Sequence, residues 1–114
     1  MGKAQREKGK RGERMFAKLI RENGLDDKAH RGVQYQGGPD SPDISTSLPI
    51  HFEVKFVERL SVRDAYSQAD TERKPGKFPV VAWKKSNSPW LAVLSMEDFF
   101  DILRQSDLVQ SNNE

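Results

Sequence analysis

Between Ile50 and Val57 the chain reads Ile-His-Phe-Glu-Val-Lys-Phe-Val, and this alternation constrains the fold more than any other stretch. Successive side chains of a strand point to opposite faces, so Ile50, Phe52, Val54 and Phe56 share one face and His51, Glu53, Lys55 and Val57 the other. The segment predicts a strand whose apolar face meets a core and whose second face carries Glu53 and Lys55 together.

Elements able to cover such a strand stand on both sides of it. Met15, Phe16, Leu19 and Ile20 recur at helical spacing, and Asn23-Gly24 supplies a stop, which predicts a first helix beginning near Gly12. Residues 1–11 are polar and glycine-punctuated and are expected to form a flexible basic arm. Ala29 to Tyr35 predicts a short strand, and Gln36-Gly37-Gly38-Pro39 a loop. Asp43 to Ser47 predicts a further short strand, entered through Pro42. Ser61 is a suitable N-cap for a helix to about Lys74, with Val62, Ala65, Tyr66 and Ala69 on one face. Phe78 to Trp83 and Trp90 to Leu94 predict paired strands, and Ser95 caps a last helix with Met96, Phe99, Phe100, Ile102 and Leu103 as its apolar face. The order α-β-β-β-α-β-β-α predicts an α/β fold, a mixed central sheet flanked by helices, as one domain over 12–105 with a polar tail at 106–114.

A length of 114 residues suits one domain. The absence of cysteine excludes disulfides, thiolate metal sites and a cysteine nucleophile, so any metal must sit on oxygen or histidine. No apolar run is long enough to cross a bilayer and no signal-peptide pattern opens the chain, so a cytoplasmic protein without membrane contact is expected. Charge is segregated: Met1 to Asn23 holds eight basic and three acidic residues, whereas Met96 to Glu114 holds one basic and five acidic. A basic head of this kind is suited to a polyanion.

The chemistry-bearing residues centre on the alternating strand. If the strand from Asp43 and the strand through Glu53 pair as a hairpin, the two carboxylates approach each other and form a seat for Mg²⁺, with the Val54 carbonyl as a further oxygen ligand. Lys55 stands about 6 to 7 Å from Glu53 along the same face, within reach of a scissile phosphate. It can stabilise transition-state charge or help to deprotonate the attacking water.

Pro42-Asp43, nine intervening residues and then Glu53-Val54-Lys55 resemble the signature of the PD-(D/E)XK nuclease superfamily. Small size, the basic Lys10-Arg11-Gly12-Glu13-Arg14 segment leading a helix, and the strand-loop-strand arrangement are similar to archaeal-type Holliday-junction resolvases. The resemblance covers roughly residues 10 to 70. It implies a restriction-endonuclease-like fold and Mg²⁺-dependent hydrolysis of DNA phosphodiesters, with Mn²⁺ as a substitute ion. It also implies Glu13 as an additional metal-binding carboxylate beside Asp43 and Glu53, and Arg14 as a DNA contact. Gln68 falls where related nucleases carry a polar group near the site, with Tyr66 beside it. A four-way DNA junction as substrate and a homodimer as acting form follow from the same resemblance. Asp40, in a second Pro-Asp pair, competes with Asp43; Asp43 is preferred because Ile44 opens the apolar strand pattern directly after it.

Lys10, Arg11, Arg31, Arg73, Lys74 and Lys77 are further candidates for phosphate contacts. His51 shares the face of Glu53, where it either supports that carboxylate from behind or, as preferred, is solvated; Trp83 and Trp90 could stack on exposed bases but are expected in the core. A doubly wound nucleotide fold is disfavoured by the lack of a glycine-rich phosphate loop after a strand, and serine-histidine catalysis by the lack of a nucleophile elbow. Two other functions fit the same residues: a nicking or repair nuclease acting on flaps, mismatches or duplex, and a non-catalytic nucleic-acid-binding module.

Overall fold

The computed structural model describes residues 2–32 and 42–109. Its elements are α1 (Lys3–Glu22), β1 (His30–Arg31), β2 (Ile44–Ser45), β3 (Ile50–Phe56), α2 (Val62–Glu72), β4 (Phe78–Lys84), β5 (Leu91–Val93) and α3 (Met96–Arg104). The chain is an α/β protein. Among the described residues, no helix is long and apolar enough to cross a membrane.

β3 occupies the place its alternation requires. It pairs in parallel with β4, Glu53 opposite Val81 and Lys55 opposite Trp83, and β4 pairs antiparallel with β5. Parallel neighbours need a crossover, and α2 supplies it. Phe52 and Val54 pack with Phe16, Ala17 and Ile20 of α1 and with Val80 and Ala82 of β4. Phe16 meets Phe52 edge-on at 4.9 Å between ring centroids and Trp90 at 5.0 Å. On the opposite face, Ala65 and Ala69 of α2 close over Val81, with Trp83 at the margin. Both tryptophans therefore serve the core; the Trp83 indole also donates to the Val57 carbonyl at 2.9 Å.

Three expectations are corrected. The first helix begins at Lys3 rather than near Gly12. Ala4, Gln5, Glu7, Lys8 and Lys10 are good helix formers, and this turn is tied down: Lys8 Nζ lies 3.7 Å from Glu58 and 4.6 Å from the Phe56 ring centroid. Gly12 allows the close approach, since a Cβ there would stand 2.7 Å from Phe56 Cβ. Second, there is no single central sheet among the described residues: β1 and β2 form their own antiparallel ladder beside the three-stranded mixed sheet. Third, β2 and β3 form no ladder among the described residues; the Asp43 carboxylate takes the Val54 N–H instead. Val33 to Tyr35, the loop at Gln36 to Pro39, Asp40 and the end of the tail from Gln110 lie outside the described residues.

Two local devices hold the β1–β2 ladder. Gly32 N–H donates to the Asp43 carbonyl at 2.8 Å, and a Cβ on Gly32 would strike the Pro42 carbonyl oxygen at 1.9 Å, so only glycine permits this contact. Asp26 accepts from Thr46 Oγ1 at 2.7 Å, Ser47 N–H at 2.9 Å and Lys28 N–H at 3.0 Å. These bonds, led by that from Thr46, lower its pKa to about 2.

Candidate active site

The polar face of β3 lies against α2, and the two elements are matched in repeat. Two residues along a strand advance about 6.6 Å and four residues along a helix about 6 Å. Running back along β3, α2 thus sets Gln68 against Lys55 and Glu72 against Glu53. Gln68 Oε1 accepts from Lys55 Nζ at 3.1 Å, Gln68 Nε2 donates to Glu72 Oε2 at 3.4 Å, and Lys55 Nζ lies 3.5 Å from Glu53 Oε2. At the free edge of β3, Asp43 Oδ2 accepts the Val54 N–H at 2.8 Å. That bond fixes an acid from outside the mixed sheet beside the Glu53-Val54-Lys55 segment.

These groups act on one another electrostatically. Burial, then repulsion from Glu53, pushes the Asp43 carboxyl up to about 7, against the opposing Val54 N–H and Lys55. Burial also raises Glu13, reinforced by Glu53 and opposed by Arg31. Burial works to raise Glu53 as well, yet the neighbouring His51 and Lys55 outweigh it and hold Glu53 below the ordinary glutamate value. Glu72 is raised by burial and by Glu53, so of these two adjacent carboxyls Glu72 keeps its proton longer.

Of the residues singled out from sequence, Glu53, Lys55 and Gln68 meet through direct contacts, Asp43 bonds the Val54 backbone between Glu53 and Lys55, and Glu13 and Asp43 interact with Glu53 electrostatically. Glu13 Oε1 accepts from Arg31 Nε at 2.8 Å, so Arg31 anchors Glu13 across the β1–α1 junction. Lys10 lies 3.7 Å from Glu7, and the Arg11 guanidinium sits 5.6 Å from the Phe56 ring centroid. Arg14 borders a shallow hollow with Arg21, His30 and Arg31. Arg73 bonds Asp70 at 2.8 Å and, with Lys77, lines a hollow by Phe78 at the opposite end of β3 from Lys55; Lys74 is exposed nearby. Arg14 and Arg31 thus act on Glu13, whereas Arg73 and Lys77 lie away from Lys55.

His51 is not solvated: it is 7% exposed beneath α2, with Nε2 3.8 Å from Glu53 Oε1, beyond hydrogen-bond reach. The strand period placed it on this face, but burial of that face depends on α2. One ligand atom each from His51, Glu53 and Glu72 lie within 4.8 Å of one another. Glu72 was missed from sequence, although Gln68-x-x-x-Glu72 has the spacing that matches His51-x-Glu53-x-Lys55. Also missed was a groove of about 630 Å³ beside Lys55, bordered by Lys8, Gly9, Phe56 and Arg59. Comparison with family models, curated proteins and solved structures gives no match to the chain.

Proposed function

We propose that this chain is a metal-dependent endonuclease that hydrolyses DNA phosphodiesters at the Asp43–Glu53–Lys55 cluster, in a restriction-endonuclease-like arrangement. The observation that carries this reading is the 2.8 Å bond from Val54 N–H to Asp43 Oδ2, which joins the Pro42-Asp43 and Glu53-Val54-Lys55 halves of the sequence signature in space.

The donor set suits Mg²⁺. Asp43, Glu53 and Glu13 offer carboxylate oxygens and Val54 a carbonyl, all hard ligands, and burial, reinforced by repulsion from Glu53, raises the pKa of Asp43 and Glu13, which a bound cation would offset. Bound there, Mg²⁺ or Mn²⁺ would supply positive charge to a phosphate oxygen and to the attacking water. Lys55, braced between Glu53 Oε2 and Gln68 Oε1, holds its ammonium where a phosphate oxygen gains charge. Arg31 orients Glu13, and Val54 N–H orients Asp43. Water attacks phosphorus in line and gives up a proton to solvent as the bond to the opposite ester oxygen breaks, that oxygen leaves and takes up a proton from solvent, and the groove lined by Lys8 and Arg59 receives the flanking strand.

A four-way junction is the substrate favoured by the resemblance to junction resolvases, and a two-fold dimer would place one site on each of two strands. α3 buries none of its residues, and its exposed Met96, Phe99 and Phe100 offer an apolar surface for the second copy.

The test is incubation of the full chain with a four-way junction, a flap, plain duplex and single-stranded DNA, with Mg²⁺ and with chelator. Paired symmetric nicks in the junction that vanish with chelator are expected, and Glu53→Gln should cut at least roughly 10²- to 10³-fold more slowly while still binding. Cuts confined to flaps or duplex would reassign the substrate, and binding without any cleavage would refute the enzyme.

A further inference from the structure

The cluster behind Glu53 carries more than the proposed cleavage needs. His51 Nε2 is buried and has no hydrogen-bond partner among the described residues. A buried polar atom left unpaired costs about 1 to 3 kcal/mol, so such atoms normally have a partner that a protein-only view omits. The neighbours of this nitrogen are two carboxylates: Glu53, whose Oε1 lies 3.8 Å away, and Glu72 from the last turn of α2.

We propose that His51, Glu53 and Glu72 form a second cation site, selective for a divalent transition-metal ion and separate from the Mg²⁺ position at Asp43. Ligands about 2.1 Å from one ion lie no more than about 4.2 Å apart. The three ligand atoms here are within 4.8 Å, a difference that the exposed Glu72 side chain can close by a small rotation. An imidazole ligand favours Co²⁺ or Zn²⁺ over Mg²⁺, which prefers oxygen and retained water. Glu53 faces both ways: Oε1 is turned to His51 and Oε2 to Lys55. One carboxylate can therefore belong to both positions, as in paired-ion phosphodiester chemistry. The inference goes beyond the proposed cleavage and shares only Glu53 with it.

The test uses Co²⁺ on the full chain without DNA. Co²⁺ should bind with a visible absorption band and a calorimetric stoichiometry that persist in Asp43→Asn. Glu72→Gln should weaken Co²⁺ at least about tenfold, since loss of even an outer-shell partner commonly costs that much. Glu72 is exposed at a helix end, so this variant tests the site even if the buried His51→Gln variant fails to fold. In Asp43→Asn, Co²⁺ should shift or broaden the imidazole nitrogen signals of His51 and spare those of His30, the only other histidine. Absence of Co²⁺ binding overturns the proposal. So does binding that is lost in Asp43→Asn and unchanged in Glu72→Gln, or a shift or broadening of neither histidine. Co²⁺ binding that depends on Glu72 in a protein that cuts no DNA would uphold the site and refute the nuclease.

Discussion

Phe52 and Val54 on one face of β3 each keep 8% of their surface exposed, and His51 and Glu53 on the other face keep 7% and 4%. Burial is equal and the chemistry is opposite. Taking Phe52 and Val54 out of water contributes about 1.5 to 3 kcal/mol each. Burying an imidazole and a carboxylate costs free energy unless each finds a partner. The first face meets α1, whose Phe16, Ala17 and Ile20 match it in shape. The second meets α2, whose small Ala65 and Ala69 seat the helix close enough for Gln68 and Glu72 to engage the polar row. One strand thus separates a face that stabilises the fold from a face whose buried polar groups cost stability.

Substitutions on the two faces should therefore move stability and the proposed cleavage independently. The largest effect on stability is expected for Phe52→Ala, which removes the ring edge-packed on Phe16 and should cost about 3 to 5 kcal/mol in denaturant unfolding. If cleavage per folded molecule fell as steeply as in Glu53→Gln, the separation of the two faces would be broken.

Asp43→Asn should have an intermediate effect of the opposite sign. Its amide oxygen can still accept the Val54 N–H, but the charge is gone. Because the folded-state pKa is raised from 3.8 to about 7, the folded protein holds this proton more tightly than the unfolded chain. The sign follows: in chelator, wild-type stability falls as pH rises from about 4 to about 7. The raised Glu13 and Glu72 add to that slope, and the lowered Glu53 opposes it. Asp43→Asn should flatten the slope and be roughly 2 to 3 kcal/mol more stable than wild type above pH 7, allowing for partial solvent screening. An unchanged pH profile would show that Asp43 is not buried against Glu53.

Gln68→Ala should have the smallest effect. The exposed 3.1 Å bond to Lys55 is worth about 1 kcal/mol or less, so unfolding should hardly move and cleavage should slow roughly two- to tenfold. No change in rate would mean that Lys55 needs no brace.

Much of this arrangement is legible along the chain because it is local. The alternation from Ile50 to Val57 determines which side chains share a face, and Met15, Phe16, Leu19 and Ile20 determine which helix face is apolar. Ser95 announces α3 and does cap it, accepting the Asp98 N–H at 3.0 Å. The start of α1 at Lys3 is not legible along the chain because its first turns are polar. Their anchoring to Phe56 and Glu58 involves residues about fifty positions away in the chain.

Sequence alone thus determined the periodic faces of the elements and the Pro-Asp and Glu-x-Lys pairs they carry, since each depends on backbone geometry over a few residues. Only the tertiary structure decided that an aspartate side chain, rather than a hairpin ladder, joins Asp43 to Val54, and that α2 covers His51 and brings Glu72 to Glu53. Those contacts join separate segments, and no local periodicity encodes which segment will exclude water from which face.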